Sequence, residues 1–191
     1  MGRRFSRSLG RKTHGDPQAG ISTLDEVEAL TLIDDLKEEA FILLLDHVQD
    51  PRNLGACLRT ADGAGVNAVV IPSDRSAGIT DVVRHVAAGA AEALSLIKVR
   101  NLARFMDSLK LRSVRLVGTS DMARSSVFEV DLSGPLGIVM GAEGKGIRRL
   151  TASYCDDLIN IPMFGSVNCL NVSVATGVCL YEACRQRTKK N

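Results

Sequence analysis

The sequence predicts an α/β fold, a mostly parallel sheet flanked by helices. Three observations point there. From residue 41 onward, short apolar runs alternate with helical patterns. The runs are almost continuously apolar, as strands covered on both faces require. The segments between them carry the turn and capping residues of successive βαβ units. In such a sheet, ligands collect beyond the carboxyl ends of the strands.

The strands read in order as FILLLD (41–46), AVVIP (68–72), LSLIKV (94–99), VRLVGT (114–119), LGIVMG (136–141) and DLINIP (157–162). Helices fall at 53–64, 80–90, 101–110, 146–153 and 170–187. The first opens after Pro51, with Asn53 as its N-cap. In the last, Leu170, Val174, Val178 and Tyr181 recur at helical spacing, and Arg185, Arg187, Lys189 and Lys190 gather where cations favour the helix dipole. Residues 22–39 read as a further helix: Ser22 can cap it, Asp25 follows three residues later, and Leu24, Val27, Leu30 and Ile33 share a face. The chain thus divides into a basic arm (1–21), an amphipathic helical extension (22–40), a main domain (41–187) and a basic tail (188–191).

A length of 191 residues supports one main domain with a sizeable core. With 4% aromatic residues and no Trp, that core must be built from Val, Leu, Ile and Ala. No apolar run reaches the roughly 18 to 20 residues that a membrane span needs. Five cysteines, an odd number without a C-x-x-C pair, support neither a disulfide framework nor a zinc site. No metal is expected, and a reducing, cytoplasmic compartment fits. The net charge of +2 says little about partners, but its distribution says more. MGRRFSRSLGRK holds five cations and no acid, and reads as an RNA-binding arm or an inert tail, with an Arg/Ser-rich organellar transit segment as the third alternative.

Three stretches carry polar residues that packing does not demand. GAEGKGI (141–147) follows a strand, but its glycines are spaced neither as a dinucleotide fingerprint nor as a Walker A loop. What remains is a glycine-rich turn holding Glu143, readable as a packing turn or as a ligand loop. In DHVQDPRNLGACLRTADGAGV (46–66), Arg59 stands among small and apolar residues that suggest a close-packed face. A buried Arg needs an anion, either a structural partner or a bound phosphate. In IPMFGSVNCLNVSVATGVCLYE (161–182), Ser166, Asn168 and Asn171 lie between an apolar strand and a largely apolar helix, where polar groups that lose hydration must be hydrogen-bonded. All three stretches follow strands, so Asn53, Arg59, Glu143 and Ser166 to Asn171 can converge at the carboxyl edge.

The order and spacing of DPRNLGACLRTADGAGV, IVMGAEGKGI and IPMFGSVNCLNVSVATGVCLYEA resemble the three motifs of SpoU-type RNA 2′-O-ribose methyltransferases, within the SPOUT (α/β-knot, TrmH) superfamily. The likeness covers residues 41–187 and is strongest to bacterial enzymes that methylate a guanosine ribose in 23S ribosomal RNA. It implies a deep C-terminal trefoil knot, which periodicity and composition do not reveal. It further implies S-adenosyl-L-methionine as cofactor, contacted by Gly141, Ile161 and Leu170 with Thr119, Met163 and Ser166 nearby. Arg59 matches the essential arginine, Asn53 and Glu143 the supporting polar residues, and Asn171 the asparagine of the LNVS motif. Cys169 departs from the serine that many relatives carry.

The resemblance also implies a homodimer formed through the knot region, which could bring Arg59 to the neighbour's site, and RNA as partner, ribosomal before transfer RNA. No His lies within these motifs, so the ordinary general base is missing. Arginine is not normally deprotonated in proteins, so Arg59 is assigned to phosphate binding and 2′-oxygen activation, with Glu143 to orient it. Two alternatives stay open: a transfer RNA ribose 2′-O-methyltransferase, and a catalytically silent RNA-binding protein on the same fold.

Overall fold

The computed structural model describes residues 23–36, 40–74, 76–142, 144 and 146–189, the side chain of Lys189 excepted. The basic arm, Ser22, Glu143 and Lys145 lie outside the described residues. Among those described, the elements are β1 (Thr23–Leu24), α1 (Glu26–Leu36), β2 (Phe41–Asp46), α2 (Pro51–Gly63), β3 (Ala68–Pro72), α3 (Asp81–Ala87), α4 (Ala90–Ala93), β4 (Ser95–Val99), α5 (Leu102–Lys110), β5 (Arg115–Thr119), β6 (Ser125–Ser126), β7 (Leu136–Gly141), α6 (Arg149–Tyr154), β8 (Asp157–Asn160) and α7 (Val172–Lys189).

The strands form one sheet in the order β1-β4-β3-β2-β7-β5-β8-β6, and every pair is parallel. Every residue of β2, β3 and β7 is buried, which is why these strands read as unbroken apolar runs. Successive side chains point to opposite faces. Leu43, Leu45, Val69 and Ile138 pack on one face with the buried residues of α2, α3, α4 and α7. Ile42, Leu44, Val70 and Val139 pack on the other with α1 and α5.

Several boundaries differ from the sequence reading, each for a local reason. Helix α2 begins at Pro51 because Asp50, not Asn53, caps it, its carboxylate accepting from Arg52 N–H at 2.7 Å. The single helix predicted at 80–90 is two, because Ala88 (φ 51°) and Gly89 (φ 90°) adopt left-handed conformations. Helix α6 starts only at Arg149, since Gly146 (φ 62°) turns back to donate to Ala142 O at 2.9 Å. Strand β8 ends at Asn160, and Pro162, which lacks an N–H, lies beyond it.

At the amino-terminal side, Asp25 caps α1 by accepting from Val27 and Glu28 N–H, and the Glu28 side chain accepts from Asp25 N–H in return. Thr23 and Leu24 pair with β4 instead of joining the helix. Val27 is exposed, and Ala29 and Ile33 form the buried stripe. In α7 the buried stripe is Val172, Thr176, Cys179, Leu180 and Ala183, whereas Val174 and Tyr181 are exposed. The reason is a neighbour that periodicity does not show: α7 lies against α2. Cys57 Sγ and Thr176 Oγ1 are 3.5 Å apart, and Cys184 Sγ donates to Ala64 O at 3.2 Å. Residue numbers rise together along this contact, so the two helices run parallel and their N-termini share one end.

Candidate active site

The chain order places a topological switch between β2 and β7. From β2 the chain passes to α2 on one face; from β7 it passes to α6, whose Tyr154 packs with the opposite core. A crevice at such a switch, outside the carboxyl ends of the strands, is where open α/β sheets bind ligands. Asp46 closes β2 and Gly141 closes β7, and the two are register partners.

Helices α2 and α7 both begin beside this crevice. Asn171 N-caps α7: its carbonyl accepts from Ala175 N–H and its side-chain oxygen accepts from Ser173 N–H at 2.9 Å. Its Nδ2 donates to Asn53 Oδ1 at 3.0 Å, tying the first predicted motif to the third. A cavity of about 250 Å³ opens here, lined by His47, Val48, Gln49, Asp50, Asn53, Ala142 and Val172. Two helix N-termini direct unsatisfied N–H groups and partial positive charge to one place, which favours anionic and polar ligands.

The second motif is built around a missing side chain. A Cβ at Gly141 would lie 2.0 Å from the carbonyl carbon of Gly146 and 2.1 Å from Ile147 N, so the loop after β7 rests directly on the strand end. Gly144 (φ 71°) and Gly146 (φ 62°) make that reversal possible. Beside it the half-buried Thr119 closes β5; the half-buried Ile161 and Met163 follow β8, and the half-buried Leu170 stands just ahead of α7. Backbone edges from a glycine loop, apolar flanks and one hydroxyl fit an adenosyl group, which needs an apolar slot with a few fixed polar contacts.

The structure therefore brings together Asn53 and Asn171; Thr119 and Gly141 close the neighbouring strands β5 and β7, and Ile161, Met163 and Leu170 lie in the segment between β8 and α7. Other candidates are placed differently. Arg59 is exposed and makes no ion pair among the described residues, so the close-packed face and structural partner anticipated for it are not found. The close packing lies one turn earlier on α2, where a Cβ at Gly55 would lie 2.8 Å from Val86 Cβ. Ser166, Asn168 and Cys169 are exposed, so hydration rather than a buried partner satisfies Ser166 and Asn168; only Asn171 meets the expected hydrogen bonding. Sequence reasoning missed Asp46 and His47. The available signal was a carboxylate closing an apolar strand, which in the fold is 1% exposed. Among the described residues no group of His, Cys, Asp and Glu is placed to hold a metal, and no helix is long and apolar enough to cross a membrane.

Comparison with known proteins places this geometry. The SpoU rRNA Methylase family matches residues 40–181. The 23S rRNA (guanosine-2′-O-)-methyltransferase RlmB of Pseudomonas putida is 56% identical over 159 residues, covering 83% of this chain and 64% of its own length. The chain thus spans less than two thirds of that relative. Among solved structures, the SpoU methyltransferase AviRb from Streptomyces viridochromogenes in complex with the cofactor AdoMet aligns with a TM-score of 0.75 at 28% identity, covering 80% of this chain and 62% of that one. The A. aeolicus TrmH/SpoU tRNA modifying enzyme aligns with a TM-score of 0.73 at 31% identity, covering 86% and 85%. With the three motifs meeting at the β2/β7 switch and the family matched across the sheet that carries them, the chain belongs to the SpoU rRNA methylase family.

Proposed function

We propose that this chain is an S-adenosyl-L-methionine-dependent RNA methyltransferase acting on a ribose 2′-hydroxyl, and that its substrate is a guanosine of 23S ribosomal RNA. The observation that carries the reading is the Asn171–Asn53 hydrogen bond beside the end of β7, which unites residues 118 positions apart at one crevice. The high identity to a ribosomal RNA enzyme supports the substrate. A trefoil knot through the 141–147 loop and the 161–171 segment belongs to the same reading.

When bound, the cofactor supplies an electrophilic methyl group on a sulfonium. Thr119, Gly141, Ile161, Met163, Ser166 and Leu170 are assigned to hold it. Asn53 and Asn171 fix the entrance where the ribose must sit, and positioning of this kind contributes up to about 7 to 11 kcal/mol in favourable cases. Arg59 binds an RNA phosphate and places its guanidinium near the 2′-oxygen, with Glu143 to orient it. Because Arg59 is exposed on α2, it is available to the site of a second subunit. Exposed Phe164, Val167, Val174 and Tyr181 supply an apolar surface for a homodimer through the knot region. The basic arm assists RNA binding, and the protein works in the cytoplasm.

Transfer RNA is the second reading, favoured by the likeness to a tRNA modifying enzyme across 85% of that chain. The test is transfer of a labelled methyl group to unmodified 23S ribosomal RNA and, in parallel, transfer RNA. Arg59→Ala should lower turnover by at least about a hundredfold, the scale of losing one positioned donor. Cofactor affinity by calorimetry should be unchanged. A protein that binds RNA but neither binds cofactor nor transfers methyl is the catalytically silent alternative, and that result sinks the enzyme reading.

A further inference from the structure

A second, larger cavity of about 310 Å³ lies on the opposite face of the sheet, beyond the ends of β2, β3 and β4. Its walls include Asp46, His47, Arg100, Asn101, Arg148 and Leu150. His47 lines both cavities, so the two share a wall at the β2/β7 switch. His47 is held in a left-handed conformation (φ 64°), with Nδ1 2.5 Å from Asp46 Oδ1 and its N–H donating to Leu45 O at 3.0 Å. A non-glycine residue kept in that region costs of order 1–2 kcal/mol, and such conformations cluster at functional sites.

Two arginines, Arg100 and Arg148, and two carboxylates, Asp46 and Asp74, line this cavity. The Asp46 carboxylate is turned inward, accepting from Arg148 N–H at 2.9 Å while facing His47. Arg100 is exposed and its side chain makes no ion pair among the described residues. Arg148 is half-exposed, with Nε 4.0 Å from Asp46. The nine-residue helix α5, capped by Asn101, starts at the wall and adds its partial positive charge. Leu150, 62% exposed, offers a flat apolar surface, and Asp74 at the rim is an acceptor for a base edge.

We infer that this cavity binds the RNA nucleotide next to the one being methylated, its phosphate between Arg100 and Arg148 and its base over Leu150. The inference rests on the proposed function, because the shared His47 wall leads from the ribose entrance to this second pocket. Phosphate contacts position a nucleic acid, and each adds to the salt dependence of binding.

The test measures the affinity of the full chain for unmodified 23S ribosomal RNA across a salt series, for wild type, Arg100→Gln and Arg148→Gln. Arg112→Gln, which breaks a distant pair with Asp34, serves as control. Each of the first two variants should reduce the slope of log K against log salt by about 0.7, the loss of one contact to a single strand. The control should keep the wild-type slope, and all should keep wild-type cofactor affinity. Wild-type slopes in both variants, with methyl transfer intact, overturn this inference and leave the proposed function standing. If wild type neither binds RNA nor transfers methyl, both fall. If guanosine monophosphate binds and both variants weaken it without altering the RNA slope, the pocket serves a free nucleotide and the inference is wrong.

Discussion

Asn171 Nδ2 donates to Asn53 Oδ1 at 3.0 Å, although the two residues belong to different helices and different motifs. The same Asn171 caps α7 through its side-chain oxygen, so one amide both starts a helix and joins it to α2. Asn171→Ala therefore loses a cap, at about 1 kcal/mol, as well as the inter-helix bond. Asn53→Ala loses only the latter. A double-mutant cycle by chemical denaturation should give a coupling of about 0.5–1.5 kcal/mol, and a value near zero would mean the pair contributes nothing to holding the two helix starts together.

Gly141→Ala places a methyl where the Gly146 backbone already stands, 2.0 Å from its carbonyl carbon. Backbone cannot rotate away as a side chain can. The expected outcome is a loss of about 1–3 kcal/mol or more in stability, together with a weakened cofactor site. Thermal unfolding and cofactor calorimetry on the purified variant check both parts.

Burial pushes the Cys155 and Cys179 thiols up to about 12, and pushes Cys184 up as well. Cys57 is buried, and Cys169 is the exposed cysteine. Because the thiolate is the reactive form, brief treatment of native protein with iodoacetamide near pH 8 should add one group, at Cys169. Unfolding in denaturant should raise the count to five, the number of cysteines in the chain. Peptide mass spectrometry reads both results.

Burial pushes the Asp156 carboxyl up, but the Leu116 N–H and the Lys110 ammonium, 2.7 Å away, outweigh it and hold the group below its ordinary value. The stabilisation is then fully present above the unfolded carboxyl value of about 3.9 and is lost as pH falls through the lower folded value. Bonding to Asp156 raises Lys110 above 10.5, so on the alkaline side the pair persists until pH climbs through that raised value. Wild type should melt above Asp156→Asn at pH 5 to 8, and the gap should close as pH drops below about 3.9. A gap that persists unchanged at pH 2 would contradict the assignment.

By itself the sequence determined the alternation of strands and helices, because residues buried on both faces of a parallel sheet must be apolar throughout. FILLLD, AVVIP and LGIVMG become β2, β3 and β7 with the predicted limits. The three motifs were legible through their order and spacing, which resemble those of a known family, since their residues taken singly left a packing turn and a structural ion pair open. Tertiary structure decided the rest, because it depends on partners distant in sequence. The buried stripe of α7 runs through Val172, Thr176 and Cys179 because α2 lies there, and no helical period encodes which neighbour a helix will meet. Arg59 is exposed although Gly55, one turn earlier on the same side of α2, packs against Val86, a difference set by docking rather than by the small residues around it. The two cavities that share His47 exist only because β2 and β7, whose register partners Asp46 and Gly141 are 95 positions apart, close side by side.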